Sequence, residues 1–296
     1  MCNLLTTEEQ SFAKNVLVIV GNGFDISHGI KSKYEDFRDF LSDNDKKNLL
    51  YFLDTFFNWT GKLWSDFENT LGNYDEELIL NECRPDEPID FDHYMRSTAA
   101  IEDSPATFLY PTLEELNIEF SNWVNSISLD DIDRIFDNVS SSSLYLSFNY
   151  LETLEKLYLI PTNRVFHIHG SRLKRDKYIF GHNNQRVFHF TDEDDRPSYE
   201  EEALLDIINK MNEFIKPYSQ NIIQCPLFGS CLQQIQRIVV VGHSLSQIDK
   251  PYFEEIQKYT NPHIRWRISY HDDKGIPYLK QKCCDLKIYN YELFKL

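Results

Sequence analysis

No apolar run in this 296-residue sequence reaches the 18 residues expected of a membrane-spanning helix. Residues 1–10 also lack the basic start and the apolar middle of a secretory signal peptide. From these two absences we expect a cytoplasmic protein with no segment in or across a membrane.

The six cysteines include no pair with the C-x-x-C spacing that is typical of zinc sites and redox motifs. The adjacent Cys283 and Cys284 would point to opposite faces of a strand. We therefore expect neither a zinc site built from cysteines nor a disulfide framework. The simplest interpretation is six reduced thiols, most of them buried.

Basic residues are outnumbered by acidic ones, 30 to 47, which gives a net charge of −17. Phosphate backbones and anionic lipids attract positively charged surfaces. General binding to nucleic acid or membranes is therefore not expected, although a local basic pocket stays open. The hydrophobic content of 42% is sufficient for a sizeable core.

Glycine is scarce, yet two of the 10 glycines flank Asn22 directly after the apolar run at 16–20. Such a run predicts a strand buried on both faces, and apolar residues at 24–40 have helical spacing. Strand, glycine turn and helix bind phosphate in nucleotide-binding α/β proteins, because free N–H groups and the helix dipole attract anions. The third glycine of the full fingerprint is replaced by Ile26, so an ordinary tight turn stays open.

Further strands are predicted along the second half of the chain, whereas the stretch from 43 to 137 has mainly helical spacing. The predicted strands cover 143–148, 164–168, 237–241 and 264–270, with short candidates at 178–180 and 286–290. The predicted helices cover 45–72, 111–127 and 200–216.

This pattern predicts an α/β fold with a Rossmann-like, mostly parallel sheet, helices on both faces and a helical insertion after the first βα unit. We assign the chain to a single α/β domain with a core at 12–42 and 141–296 and the insertion at 43–140.

Polar residues follow four of the predicted strands at their carboxyl ends, where open α/β sheets bind ligands. Asp25 would either cap the helix that follows or contact a ligand. Asn149 would either cap its helix or use its amide to orient a ribose or a water molecule. The four segments are 21–25, 149–150, 167–170 and 242–245.

His167 and His169 lie two residues apart, so they would share one face of a strand. With His182 they could form a metal site, but no carboxylate completes the set, and we expect no metal. His169 lies at the strand end and is the better candidate for general acid/base chemistry. His167 lies deeper and is expected to be a packed, hydrogen-bonded residue.

Gly242 and Ser244 resemble the start of the nucleophile elbow G-x-S-x-G, but Ser246 replaces the last glycine. We predict that Ser244 bonds a ligand hydroxyl or phosphate, and that Asp249 caps the helix that follows. A hydrolase triad that uses His263 or His271 stays open.

The aromatic residues around Trp64 are expected to be core, and the nearby Glu68 is interpreted as a solvated carboxylate that could reach a ligand only if its face covered the crevice.

In combination, these motifs resemble the AbiH family of bacterial abortive-infection proteins, which act in defence against phages. The resembling segments are 18–25, 28–29, Tyr34, 64–68, 147–150, 153–155, 167–171, 180–183, 241–249 and 252–253.

The order of the motifs is also remotely similar to that of sirtuin-like NAD-binding domains. That resemblance implies that Asn149 and His169 are catalytic in cleaving the bond between nicotinamide and ribose. It places dinucleotide contacts at Gly21, Gly23, Gly242 and Ser244, and we add their neighbours Asn22, Asp25, His243 and Asp249. Leu151 stands where deacylating sirtuins have Asp, and their zinc cysteines are absent, so protein deacylation is not expected.

The resemblance thus predicts a phage-defence effector that binds NAD or a related nucleotide and hydrolyses it. The alternatives are a non-catalytic nucleotide sensor that contacts a phage or host protein, and a serine esterase. Assembly into a homo-oligomer is compatible with the sequence.

Overall fold

The computed structural model describes residues 2–57, 61–84, 101–190 and 198–296. The chain divides into two compact units. The first unit comprises Met1–Lys33, Val124–Ile179 and Pro217–Leu296, and the second comprises Tyr34–Trp123 and Phe180–Lys216.

The described strands form a two-stranded parallel sheet and a six-stranded parallel sheet. They are β1 Cys2–Asn3, β2 Val16–Val20, β3 Phe136–Asp137, β4 Leu144–Ser147, β5 Val165–His167, β6 Arg237–Val241, β7 Arg265–Tyr270 and β8 Tyr291–Lys295. The small sheet pairs β1 with β3, and the large sheet has the order β5-β4-β2-β6-β7-β8.

The described helices belong to both units. They are α1 Thr7–Ser11, α2 Asn22–Ser27, α3 Tyr34–Asp43, α4 Lys47–Phe56, α5 Phe67–Leu71, α6 Glu76–Cys83, α7 Ser104–Ser126, α8 Thr153–Tyr158, α9 Tyr199–Asn212, α10 Tyr218–Gln224, α11 Ser230–Gln233, α12 Lys250–Tyr259 and α13 Ile276–Asp285. Among the described residues, no helix is long and apolar enough to cross a membrane.

Strands β2 and β6 lie at the centre of the large sheet and are buried along their whole length. Alternate side chains enter two different cores, with Leu17 and Val240 in one and Val18 and Val239 in the other. Because both faces are covered, these strands read as continuous apolar runs rather than as alternating ones. The predicted α/β class and Rossmann-like parallel sheet are confirmed.

The six strands of the large sheet, taken in chain order, have the spatial order 3-2-1-4-5-6 of dinucleotide-binding folds. The chain reverses its direction of winding between β2 and β6, so a crevice is expected beyond their carboxyl ends. Val20 pairs with both Ser147 and Val241, and Ser147 pairs with His167. The loops after β2, β4, β5 and β6 therefore leave the sheet at the same edge.

Several predicted elements are wrong in the first unit. The segment at 24–40 is not one helix, because Gly29 has a positive φ of 77° and separates α2 from α3. The short strand expected at 178–180 is absent from the described elements, and its Ile179 N–H donates to the His169 carbonyl instead. The last strand begins at Tyr291 rather than at 286, since α13 extends to Asp285.

The second unit is built from helices around an aromatic core, in which the rings of Phe37, Phe67, Phe120 and Trp123 contact one another. The long helix predicted at 45–72 is wrong. Gly61 has a positive φ of 70° between α4 and α5, a backbone conformation that a helix does not contain.

The prediction that Glu68 is a solvated carboxylate is also wrong. Its carboxylate lies 2.9 Å from the ammonium group of Lys216, whose side chain is fully buried in the same unit. A buried ammonium requires a partner of opposite charge. Trp64 and Phe67 are buried in the core, as predicted.

Candidate functional site

The turn after β2 packs directly against the turn after β6. The Gly21 N–H donates to the Val241 carbonyl at 3.0 Å, and the Gly23 N–H donates to the Gly242 carbonyl at 2.8 Å. A Cβ added at Gly21 would lie 2.6 Å from the Cα of His243, and one at Gly23 would lie 2.8 Å from the Cα of Gly242. These glycines are therefore explained by the close packing of the two turns, and their contact with a ligand stays a prediction.

Asn22 fixes the other side of the first turn. Its amide nitrogen donates to the Ser32 carbonyl at 2.7 Å, and its amide oxygen accepts from the Ser32 hydroxyl at 2.7 Å. The side chain of this predicted ligand contact is thus engaged within the protein.

Asp25 lies inside α2 and is not its N-cap, a position that Gly21 occupies. The capping interpretation is therefore wrong. The side chain is almost completely buried, and its Oδ1 has no hydrogen bond of acceptable geometry among the described residues. Burial raises the pKa of Asp25 to about 7, although the approaching Thr153 and Asn149 side chains and the charges of His167 and Arg172 oppose this shift.

Asn149 is held from several directions in the loop after β4. Its side-chain Nδ2 donates to the Gly21 carbonyl at 3.1 Å, and its backbone carbonyl accepts from Nδ1 of His167 at 2.8 Å. Its Oδ1 is buried and has no hydrogen bond among the described residues. The helix α8 that follows is capped at Glu152, so the capping role considered for Asn149 is wrong.

His167 lies between the Asn149 carbonyl and the Glu155 carboxylate. A backbone carbonyl can only accept, so Nδ1, which faces the Asn149 carbonyl, carries a proton. The other nitrogen, Nε2, lies 3.1 Å from Oε1 of Glu155, and this contact is attractive only if one of the two atoms is protonated. We call the group Asp25, Asn149, Thr153, Glu155 and His167 the Asp25 cluster.

A second group of titratable side chains surrounds Asp249. Its carboxylate lies 3.8 Å from Nε2 of His169 and 3.5 Å from Nε2 of His243, and all three residues are buried. The Phe148 ring contacts both imidazoles edge-on, at centroid distances of 5.3 Å and 4.4 Å. We call the three titratable residues the Asp249 cluster.

One imidazole of the Asp249 cluster, that of His243, is held by a hydrogen bond within its own turn. Nδ1 of His243 accepts the Leu245 N–H at 2.9 Å, so this nitrogen is unprotonated and the proton lies on Nε2, towards Asp249. Nε2 of His243 therefore serves as a donor towards Asp249. His169 remains the residue predicted to exchange a proton with a ligand.

His167 and His169 do not share a face, contrary to the prediction. β5 ends at His167, and residues 168–169 form a turn before Gly170, whose φ is 89°. The alternation of a strand no longer applies beyond its last residue. His167 consequently belongs to the Asp25 cluster and His169 to the Asp249 cluster, so the two predicted catalytic residues, Asn149 and His169, lie in different clusters.

Ser244 is exposed in the turn after β6. In that turn the backbone has positive φ at Gly242 and Leu245 rather than at Ser244. The strained position of a nucleophile elbow is therefore not occupied by the serine. Asp249 occupies the N-cap position of α12, as predicted, but its side chain makes no capping hydrogen bond to that helix.

His182 cannot complete a metal site with the other two histidines. In the second unit its Nε2 contacts the Met211 carbonyl at 3.1 Å, and its Nδ1 accepts the Asn184 N–H. Within the described part of the chain, no group of three or more His, Cys, Asp or Glu residues is arranged to hold a metal ion.

Thr153 and Glu155 have no predicted role in the sequence. Both lie in the first turn of α8, the helix that follows Asn149. The spacing of a hydroxyl and a carboxylate two residues apart after a polar strand end was the available signal. Only the fold shows that both approach the same buried site.

Comparison with known proteins identifies the family of the chain. The family model described as Bacteriophage abortive infection AbiH matches residues 17–270, which include both clusters. A search of curated proteins found no match.

Proposed function

The chain belongs to the AbiH family, which implies a role in bacteriophage abortive infection, and from that premise we propose that it acts as an effector on NAD or a related nucleotide. The nucleotide would bind at the carboxyl edge of the large sheet and be hydrolysed between nicotinamide and ribose.

The observation that carries this proposal is the meeting of both clusters at one edge of a sheet with the order 3-2-1-4-5-6. Open α/β sheets bind dinucleotides at this edge, near the reversal between the two central strands. Asn149 and Asp25 follow β4 and β2, whereas His169 and Asp249 follow β5 and β6. A buried edge that only needed to be stable would have little use for three carboxyls and three imidazoles.

The proposed reaction requires a hydroxyl acceptor and a base. Oδ1 of Asn149 would accept a hydrogen bond from a ribose hydroxyl or from the attacking water. The C1′–N bond breaks and its electron pair leaves with neutral nicotinamide. Water forms the new bond to C1′, and His169 accepts the proton that the water loses. Asp249 would hold the imidazole and favour its protonated form.

A non-catalytic nucleotide sensor is the second candidate function. It is favoured by the separation of Asn149 and His169 into two clusters and by the close packing of Gly21 and Gly23 against Gly242. In this case a phage or host protein would read the nucleotide-bound state. The esterase candidate loses support, because Ser244 does not occupy the strained position of an elbow.

The test is incubation of the purified full chain with NAD, with and without extract of phage-infected cells, followed by chromatography of nicotinamide and ADP-ribose. We expect release by the wild-type chain, loss of release in His169→Gln, and no change in His263→Gln, an exposed histidine that serves as the matched control. Calorimetric binding of NAD without release would favour the sensor. If the chain neither bound NAD nor released nicotinamide from it, the proposal would be contradicted.

A further inference from the structure

Positive charge is concentrated in the segment that follows His169, although the net charge of the chain is −17. The basic residues of this segment are Arg172, Lys174, Arg175 and Lys177. We call residues 171–177 the basic loop. A local excess of positive charge on an otherwise acidic chain is a candidate site for an anion.

Three of these basic side chains have no partner of opposite charge among the described residues. Arg172 donates two hydrogen bonds to the Glu152 carboxylate, at 3.0 Å and 2.8 Å, so its charge is balanced. Lys174, Arg175 and Lys177 are exposed, and in the described part of the chain their side chains form neither a hydrogen bond nor an ion pair. These three cations remain available to a ligand.

The basic loop is folded onto itself by its own backbone. The Arg175 N–H donates to the Arg172 carbonyl at 3.1 Å, and the Asp176 N–H donates to the Ser171 carbonyl at 3.1 Å. The Asp176 carboxylate, the only acidic group of the loop, accepts the Ser171 N–H at 3.2 Å. Because the backbone is already ordered, binding of a ligand costs little further conformational freedom there.

The basic loop begins and ends beside His169. A Cβ added at Gly170 would lie 2.5 Å from the Lys177 carbonyl oxygen, so the end of the loop packs against the residue that follows His169. The Arg172 N–H donates to the Tyr150 carbonyl at 2.9 Å and ties the loop to the segment after β4. The loop therefore lies at the carboxyl edge of the large sheet, where the nucleotide is proposed to bind.

The glycine turns at the same edge, by contrast, use backbone donors within the protein. The Gly23 N–H donates to the Gly242 carbonyl at 2.8 Å. The Phe24 N–H donates to the Gly21 carbonyl at 2.9 Å. The Gly242 N–H donates to the Ser269 hydroxyl at 2.8 Å. In dinucleotide-binding folds, N–H groups of this kind receive the pyrophosphate.

The helix after the first glycine turn also offers little attraction to a phosphate. α2 comprises only six residues, Asn22–Ser27, and carries Asp25 in its first turn. A carboxyl group in that position lies at the positive end of the helix dipole and, when ionised, repels a second anion. The basic loop supplies positive charge at the same edge of the sheet without this competition.

We propose that the basic loop binds the phosphate groups of the nucleotide through the side chains of Lys174, Arg175 and Lys177. The assignment of these phosphates to NAD or a related nucleotide rests on the proposed function, whereas the binding of phosphate by the loop does not.

The size of the ligand follows from the distribution of charge. A pyrophosphate is a small group that neighbouring Lys and Arg side chains can surround with charge-assisted hydrogen bonds. A long nucleic acid would extend beyond the loop and meet a chain with a net charge of −17. A nucleotide with two phosphates is therefore the ligand that the loop fits best.

Calorimetry with inorganic pyrophosphate tests the loop independently of NAD. We expect the wild-type chain to bind pyrophosphate. The triple variant Lys174→Gln, Arg175→Gln and Lys177→Gln should bind it about 10- to 100-fold more weakly, because three exposed charges that contact the phosphates are lost. Added salt should weaken binding to the wild-type chain more than binding to this variant, since salt screens exposed charges.

The triple variant Lys14→Gln, Lys280→Gln and Lys287→Gln is the matched control. These three lysines are exposed in the same unit, and their replacement changes the net charge by the same amount. The control should bind pyrophosphate like the wild-type chain. Equal weakening in both triple variants would overturn the proposal, and so would an unchanged affinity in the loop variant or a wild-type chain that does not bind pyrophosphate.

Chemical acetylation of lysines locates the site in the wild-type chain without any substitution. Saturating pyrophosphate should lower the acetylation of Lys174 and Lys177, as read by mass spectrometry, and should leave that of Lys14 and Lys280 unchanged. Acetylation of the two loop lysines that does not respond to pyrophosphate would overturn the proposal.

ADP and adenosine, which differ only in the pyrophosphate, test the link to the nucleotide. The wild-type chain should bind ADP more tightly than adenosine, and the loop variant should lose this preference. A preference that the loop variant keeps would overturn the proposal. A single-stranded oligonucleotide that binds through the loop more tightly than ADP would overturn it as well. Loop-dependent binding of pyrophosphate without binding of ADP or NAD would contradict the proposed function and support the phosphate site in the loop.

Discussion

Two buried aspartates follow central strands of the same sheet, and their surroundings are opposite. Asp249 lies between two imidazoles, at 3.8 Å from His169 and 3.5 Å from His243. Oδ1 of Asp25 is buried without a hydrogen bond among the described residues, and burial raises the pKa of Asp25 to about 7. The two environments favour different chemistry, since Asp249 can stabilise a protonated histidine while Asp25 can exchange a proton near neutral pH.

The sheet itself contributes to this difference. Phe24 and Leu154, neighbours of the Asp25 cluster along the chain, belong to one hydrophobic core. Phe148 and Tyr252, which contact the imidazoles of the Asp249 cluster, belong to the other. The same edge of the sheet thus carries two separate polar environments. Matched substitutions in the two clusters can measure what each contributes to turnover and to stability.

The largest effect on turnover is expected at His169 of the Asp249 cluster, and it is compared with the effect at His167 of the Asp25 cluster. His169→Gln should lower nicotinamide release by about 10²- to 10⁴-fold, the contribution typical of a general acid/base. His167→Gln should instead lower the free energy of unfolding by about 1–3 kcal/mol, because it leaves buried partners unsatisfied. Turnover and thermal unfolding of both variants check the assignment, and the reverse pattern would exchange the roles of the clusters.

Asp25→Asn should change the pH dependence of stability. Folded Asp25 binds a proton between its ordinary pKa of 3.8 and about 7, where the unfolded chain does not, so the free energy of unfolding falls as pH rises through this window. Relative to the wild-type chain, the free energy of unfolding of the variant should rise by about 4 kcal/mol as the pH increases between these two values. It should rise no further at higher pH. Urea unfolding at several pH values measures the difference in free energy of unfolding between the two chains. A difference that does not change with pH would refute the claim that Asp25 is buried with a raised pKa.

Asp249→Asn tests the other aspartate and should act mainly on turnover. Loss of the carboxylate between the imidazoles removes the charge that favours protonated His169, and we expect a loss of about 10- to 100-fold in kcat. The pH–rate profile should shift to lower pH, because the pKa of a histidine falls when a neighbouring anion is removed. A profile identical to that of the wild-type chain would show that Asp249 does not influence the base.

The smallest effect is expected at Ser244, outside both clusters. Ser244→Ala should weaken nucleotide binding by about 0.5–1.5 kcal/mol, the contribution of a typical hydrogen bond, and should leave turnover measurable. Calorimetry with ADP-ribose gives the binding term. Covalent labelling of Ser244 by a fluorophosphonate probe would contradict this role and would favour the esterase alternative.

Much of the fold was predictable because local patterns determine it. The apolar run at 237–241 coincides with β6, and the run at 16–20 coincides with β2. Breaks such as the one at Gly61 depend on a single left-handed residue, which helical spacing alone does not reveal. No sequence pattern indicated that residues 180–216 group with 34–123.

The site was predictable in its position but not in its pairings. The carboxyl ends of the strands were located from the chain, whereas the contact between Asp249 and His169 joins residues 80 positions apart. The burial of Asp25 was hidden because an acidic residue just after a glycine turn looks like a helix cap. The close packing of the first glycine turn against the neighbouring turn was not predictable either, and the ligand contact of these glycines stays a prediction.

The central claim, that this effector acts on NAD through the Asp249 cluster, is tested most directly by the NAD content of phage-infected cells that produce the chain. The wild-type chain should deplete NAD after infection, the His169→Gln chain should not, and the His263→Gln chain should behave like the wild type. Depletion that is equal in the wild-type and His169→Gln cells, or defence against the phage with NAD unchanged, would contradict the account.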